Sequence, residues 1–123
     1  VMKLIKQFML NRPADKRMAY FYGVVATDEQ VWLLRNEEDD LLVLEGDEQY
    51  SFVLPVWPSR SFAEMESTHL EDPYEAFNMP LSQFIEELLI DVENDGGAAA
   101  IFPNQKDASI QTREEIIEMI RNI

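Results

Sequence analysis

His69 is the only histidine of the chain, and Glu66, Glu71 and Asp72 lie within three positions of it. An imidazole among carboxylates could carry acid–base chemistry or hold a cation near neutral pH. One histidine beside acids near a helix end is more commonly a solvated or capping group, so catalysis at His69 is the minority reading. The serines give no G-x-S-x-G elbow, and any Ser-His-Asp set would have to draw on His69. Glu37-Glu38-Asp39-Asp40 lacks the alternating carboxylates and closing glutamate of a calcium loop, and reads as a solvated hairpin tip. Gly96-Gly97 is followed by no lysine or serine and ends a helix instead of starting one, so it is not a phosphate loop. The absence of cysteine removes thiol nucleophiles, disulfides and thiolate metal sites. The sequence therefore assigns no catalytic residue, no metal ligand and no cofactor.

A different chemistry is offered by Trp57, Ser59 and Arg60. An indole beside a guanidinium is the pairing found at binding hot spots, and Arg60 could stack on a ring or hold a carboxylate. These three residues are the candidate partner contact. The alternative for Arg60 is an ion pair with one of the chain's many acids. Trp32, on an apolar run, is expected in the core.

The elements that must position these groups follow from periodicity. Leu4, Ile5, Phe8 and Met9 recur at helical spacing, and Asn11 with Pro13 starts a second helix whose Met18, Phe21, Tyr22 and Val25 share a face. Gly23 inside that helix is expected to mark close packing. Val31-Trp32-Leu33-Leu34 and Leu41-Leu42-Val43-Leu44 flank the acidic turn as a hairpin, and Tyr50 to Val56 adds a third strand of a meander. Pro58 stops that strand, and Ser59 or Ser61 caps the next helix, with Ser61 and Glu64 at capping-box spacing. That helix is expected to end near Leu70. Glu71 to Asn78 reads as a loop. Phe84, Ile85, Leu88, Leu89 and Val92 form the inner face of an amphipathic helix that Asn94-Asp95-Gly96-Gly97 ends. Ala98 to Phe102 is a strand, Pro103 to Asp107 a turn and Ala108-Ser109-Ile110 a short return strand. Thr112 and Glu115 box the start of a final helix carrying Ile116, Ile117, Ile120 and Ile123. The class is α+β: a mainly antiparallel sheet of four to five strands, the meander plus one or two C-terminal strands, with helices on one side.

Length and charge bound the rest. At 123 residues and 46% hydrophobic content the chain is expected to form one domain over 1–123, with 1–12 as its helical extension. The formal net charge is −14, and it is uneven. Lys3, Lys6, Arg12, Lys16 and Arg17 fall in the first 17 residues, while 23 acids and five bases follow. Such a body is repelled by nucleic-acid phosphates and by anionic membranes, so both partners are disfavoured. The apolar runs are far below the roughly 20 residues of a membrane span, and no secretory leader is expected. A cytoplasmic protein is the expectation.

Leu54-Pro55-Val56-Trp57-Pro58-Ser59-Arg60 with Phe62-Ala63, the Val31 run, the acidic hairpin, Met79-Pro80-Leu81 with Phe84, and Ala100-Ile101-Phe102-Pro103 occur in an order that resembles a known family. From about Pro13 to Ile123 the chain is similar to the small bacterial proteins grouped as domain-of-unknown-function family 2750. Its layout is also similar to SseB-like domains. The first resemblance implies an α+β fold and a bacterial cytosolic setting, and it supplies no catalytic residues. The reading at this level is an acidic, non-enzymatic module that binds another protein, a basic one among the candidates, through Trp57, Ser59 and Arg60. Two alternatives stand beside it: a small-ligand binder or enzyme with a pocket near His69, and an inhibitor or immunity-type protein with an acidic face.

Overall fold

The computed structural model describes residues 2–123. Helix α1 (Met2–Leu10) runs into α2 (Ala14–Asp28), which has Pro13 at its N-cap and Glu29 in the left-handed conformation at its C-cap. Phe21, Tyr22 and Val25 of α2 are buried as their spacing predicts, and so is Arg17. Burial pushes the Tyr22 phenol above its ordinary range, with Glu115 adding to the effect. Gly23 is a correction to the sequence reading: it is exposed, and a Cβ built there meets nothing within 4 Å, so close packing is not its reason.

Strand β1 (Gln30–Arg35) ends in the expected acidic turn, where Asn36 Oδ1 accepts from the N–H groups of Glu38 and Asp40. The return arm is mostly irregular. Leu41 bridges Arg35, Leu42 N–H donates to Leu34, and only β2 (Leu44–Glu45) pairs as a strand, antiparallel to β3 (Phe52–Val56). Helix α3 (Arg60–Ser67) follows, with Ser59 at the N-cap. Ser59 makes no side-chain capping bond, and its hydroxyl lies 3.2 Å from that of Ser61, so the expected Ser61–Glu64 box is not the cap.

The segment expected as a loop contains β4 (Glu75–Pro80), antiparallel to β1 from Gln30↔Pro80 to Arg35↔Glu75. Helix α4 spans 81–94 and contains a π-helical turn, Phe84–Leu88. Phe84, Leu89 and Val92 are buried, while Glu86, Glu87 and Glu93 face water. Strand β5 (Gly97–Ile101) then lies parallel to β3, and β6 (Ser109–Gln111) is antiparallel to β5. Gly97 is required by close approach: a Cβ there would sit 2.5 Å from the Phe52 ring. Helix α5 (Arg113–Arg121) begins at the predicted Thr112–Glu115 capping box.

The fold is α+β, but its sheets differ from a meander with a C-terminal addition. Strands β1 and β4 form one ladder, and β2-β3-β5-β6 form another with a parallel pair at its centre. An isolated bridge joins them: Trp32 and Trp57 exchange backbone hydrogen bonds of 3.0 and 2.9 Å. Successive residues of both β3 and β5 are buried, so these strands are covered on both faces and not on one. That is the environment parallel strands require. No helix among the described residues is long and apolar enough to cross a membrane.

Candidate functional site

The two tryptophans differ in exposure from the sequence reading. They face each other across the bridge, yet Trp57 is 2% exposed and its Nε1 donates to the Pro103 carbonyl at 3.3 Å. Trp57 therefore presents no ring to a flat contact surface. Trp32 is only half-buried, and the exposed Arg60 guanidinium stands over it at 4.8 Å. Among the described residues Arg60 forms no ion pair, so stacking rather than a carboxylate holds it. Pro58 stops β3 at the point where Trp57 turns inward, and Ser59, extended at the cap, sets the direction of α3.

What Trp57 does is line a slot. Leu34, Leu42, Leu44, Leu70 and Pro103 surround it with the indole, enclosing about 160 Å³. Glu66, Asn104 and Gln105 also line it, and the same three residues line a second cleft of about 250 Å³ whose surface is mixed, with Leu10 and Met65 among its lining. Gln7 and Asn11 from the end of α1, Thr68 and His69 from the end of α3, and Lys106 from the loop after β5 form its walls. No serine or aspartate lines this cleft with His69, so it holds no Ser-His-Asp arrangement. Among the described residues no group of three or more potential ligands is placed to hold a metal ion.

The walls are tied in place by hydrogen bonds that run across long stretches of sequence. Asn104 Nδ2 donates to the Leu10 carbonyl at 2.6 Å, while its Oδ1 accepts from the N–H groups of Lys106 and Asp107. Arg17, 1% exposed, donates Nε to Phe102 O at 2.9 Å, Nη1 to Arg12 O at 2.6 Å and Nη2 to Asp107 O at 2.7 Å. Nη2 also lies 2.8 Å from Asp107 Oδ1, so the buried guanidinium is neutralised on its solvent side. Its planar fork joins the α1–α2 corner to the 102–107 loop, two of the walls of the cleft. Phe102 carries a φ of 47°, in the left-handed region, where its carbonyl is the one Arg17 holds. On the seam, Gln105 Nε2 donates to Glu66 Oε2 at 3.1 Å.

Of the residues singled out from sequence, the structure places Trp57 in the slot and His69 in the adjoining cleft, with Ser59 and Arg60 outside both. Arg17, Asn104 and Lys106 were missed. The Asn11-to-Arg17 corner looks like an ordinary helix start, and only the fold brings it against the loop after β5. The family model described as Protein of unknown function (DUF2750) matches residues 18–122. No curated protein matches the chain.

Proposed function

The chain belongs to the DUF2750 family, and we propose that it is a binding domain without chemistry of its own, whose site is the groove formed by the Trp57 slot and the His69 cleft. The observation that carries this reading is the shared seam: Glu66, Asn104 and Gln105 line both the apolar slot and the cleft of mixed polarity, so the two hollows adjoin across these three side chains. An apolar cavity beside converging polar groups is the general form of a small-ligand site. The bracing by Arg17 and Asn104 supports it, because walls already held in place lose little freedom on binding.

The test uses Trp57 as a reporter. In a Trp32→Phe variant the emission comes from Trp57 alone, and amphipathic small molecules that fill the slot should change that emission and raise the melting temperature. Leu70→Trp, which narrows the slot from a half-buried loop position, should remove both responses while the unliganded protein still melts cooperatively. Hits that bind the narrowed variant equally well would sink the proposal.

A second reading, contact with another protein, draws on one observation: the exposed Arg60 stacked over half-buried Trp32. It keeps Arg60 and Ser59 at the contact and replaces Trp57 by Trp32. A basic partner would be steered by the chain's −14 charge. Arg60→Ala should then weaken retention of such a partner without lowering the melting temperature, and unchanged retention would reject this surface.

A further inference from the structure

The charged groups around the groove are of both signs, and they are sorted by position. Glu66 stands on the seam, with one carboxylate oxygen engaged by Gln105 Nε2 at 3.1 Å, and its other oxygen accepts no hydrogen bond among the described residues. His69 and Lys106 lie on the cleft side with the amides of Gln7 and Asn11, beside the side chains of Leu10 and Met65. The apolar slot lies on the other side, with Trp57 and Leu70 among its lining. A ligand centred on the seam therefore meets the Glu66 carboxylate beside it, the Lys106 ammonium, the His69 ring and amides ahead of it, and the hydrocarbon of the slot behind it.

We propose that the groove takes a free α-amino acid with an apolar side chain, a step that rests on the reading of the groove as a small-ligand site. The α-carbon sits at the seam, the ammonium beside Glu66, the carboxylate toward Lys106 and His69, and the side chain in the slot. An α-amino acid carries these three kinds of group on one tetrahedral carbon, which matches the three compartments. Competing ligand classes match fewer of them. A simple carboxylate with an alkyl tail brings a net negative charge to a protein of charge −14 and places nothing cationic against Glu66. An alkyl amine leaves Lys106 without an anion. A zwitterion is neutral and satisfies both signs.

Size narrows the class. The slot is partly open and has a volume of about 160 Å³, close to the roughly 150 Å³ of a closed apolar cavity that takes benzene. Leucine, methionine and phenylalanine side chains are of this order, whereas glycine leaves the slot empty. Lys106 is exposed, so its attraction for the carboxylate is screened and sets preference more than strength. The affinity comes chiefly from filling the slot.

The experiment is an amide-resolved NMR titration of the whole chain with L-leucine, L-phenylalanine, glycine, N-acetyl-L-leucine and L-leucinamide, repeated on Glu66→Gln and Leu70→Trp. Leucine and phenylalanine should shift resonances around Trp57, Gln105 and Lys106, and should bind about threefold or more tightly than the acetylated and amidated forms. Glycine should not bind measurably. Glu66→Gln should erase the preference for leucine over N-acetyl-leucine, and Leu70→Trp should weaken every leucine derivative. Equal binding of leucine, its acetyl form and its amide through a slot sensitive to Leu70→Trp would overturn the zwitterion while leaving the groove as a ligand site. No response to any of the probes would overturn both.

Discussion

Arg17 is the residue on which the local arrangement depends most. Its guanidinium is buried, and it serves three backbone carbonyls and one carboxylate that come from the α1–α2 corner and the 102–107 loop. A buried carbonyl left without a donor costs about 1–3 kcal/mol, so removing the fork affects several groups together. Asp107 is 58% exposed at its side chain and can be hydrated when its partner is gone, which limits the loss. Arg17→Met keeps most of the apolar stem and deletes every donor. It should cost about 3 kcal/mol and lower the melting temperature by about 10 °C. Arg17→Lys retains the charge but cannot present the fork, and its stability should fall between those of the parent and the Met variant. Thermal melts by circular dichroism check the order, and a Met variant as stable as the parent would show that the carbonyls find water instead. The same mutation should blur the resonances of Asn104 and Lys106 before those of β3, because the loop is what the fork holds.

At the scale of elements, α2 carries a weakness that the fold does not use. Gly23 lies in the helix interior, exposed, with open space where a Cβ would go. Glycine there costs about 0.5–1 kcal/mol relative to alanine through backbone entropy, so Gly23→Ala should stabilise by that amount. A denaturant midpoint that stays put or falls would mean the site has a contact the fold does not reveal. Other elements differ in how far their sequences announce them. The Thr112–Glu115 box and the burial of Phe84, Leu89 and Val92 are properties of local spacing and were legible. Strand β4 was not, because an edge strand that is half-exposed along its length and contains Pro80 shows no alternation to detect. The parallel pairing of β3 with β5 left a trace in the unbroken apolar runs Phe52–Val56 and Ala98–Ile101, the mark of strands covered on both faces. For the groove, Trp57 and His69 stood out as residue types. Their meeting did not, since its walls come from segments as far apart as Gln7 and Lys106, and no spacing records such a contact.

The whole molecule is governed by charge. Against a formal net charge of −14 the described residues form only three ion pairs, Arg17–Asp107, Arg35–Asp39 and Arg35–Glu75, and the last two are exposed. Exposed pairs contribute about 0–1 kcal/mol each, whereas repulsion among uncompensated carboxylates acts over the whole compact surface and is relieved when the chain expands. Repulsion therefore exceeds attraction, and the two respond oppositely to salt. At about 0.15 M ionic strength the screening length is roughly 8 Å, short enough to weaken repulsion between acids on different elements. The short Arg17–Asp107 contact is shielded from this by the burial of its guanidinium. The melting temperature should accordingly rise as sodium chloride increases from about 0.01 M, where the screening length is roughly 30 Å, toward 0.15 M. Replacing an exposed acid on α4, as in Glu87→Gln, should raise it at low salt and lose its effect at high salt. A melting temperature that falls over the same range would mean that attractive pairs outweigh repulsion. In that case the acidic surface would be balanced by cations that the three ion pairs do not account for. The same balance bears on ligands, since an anion adds to the repulsion and a neutral molecule does not.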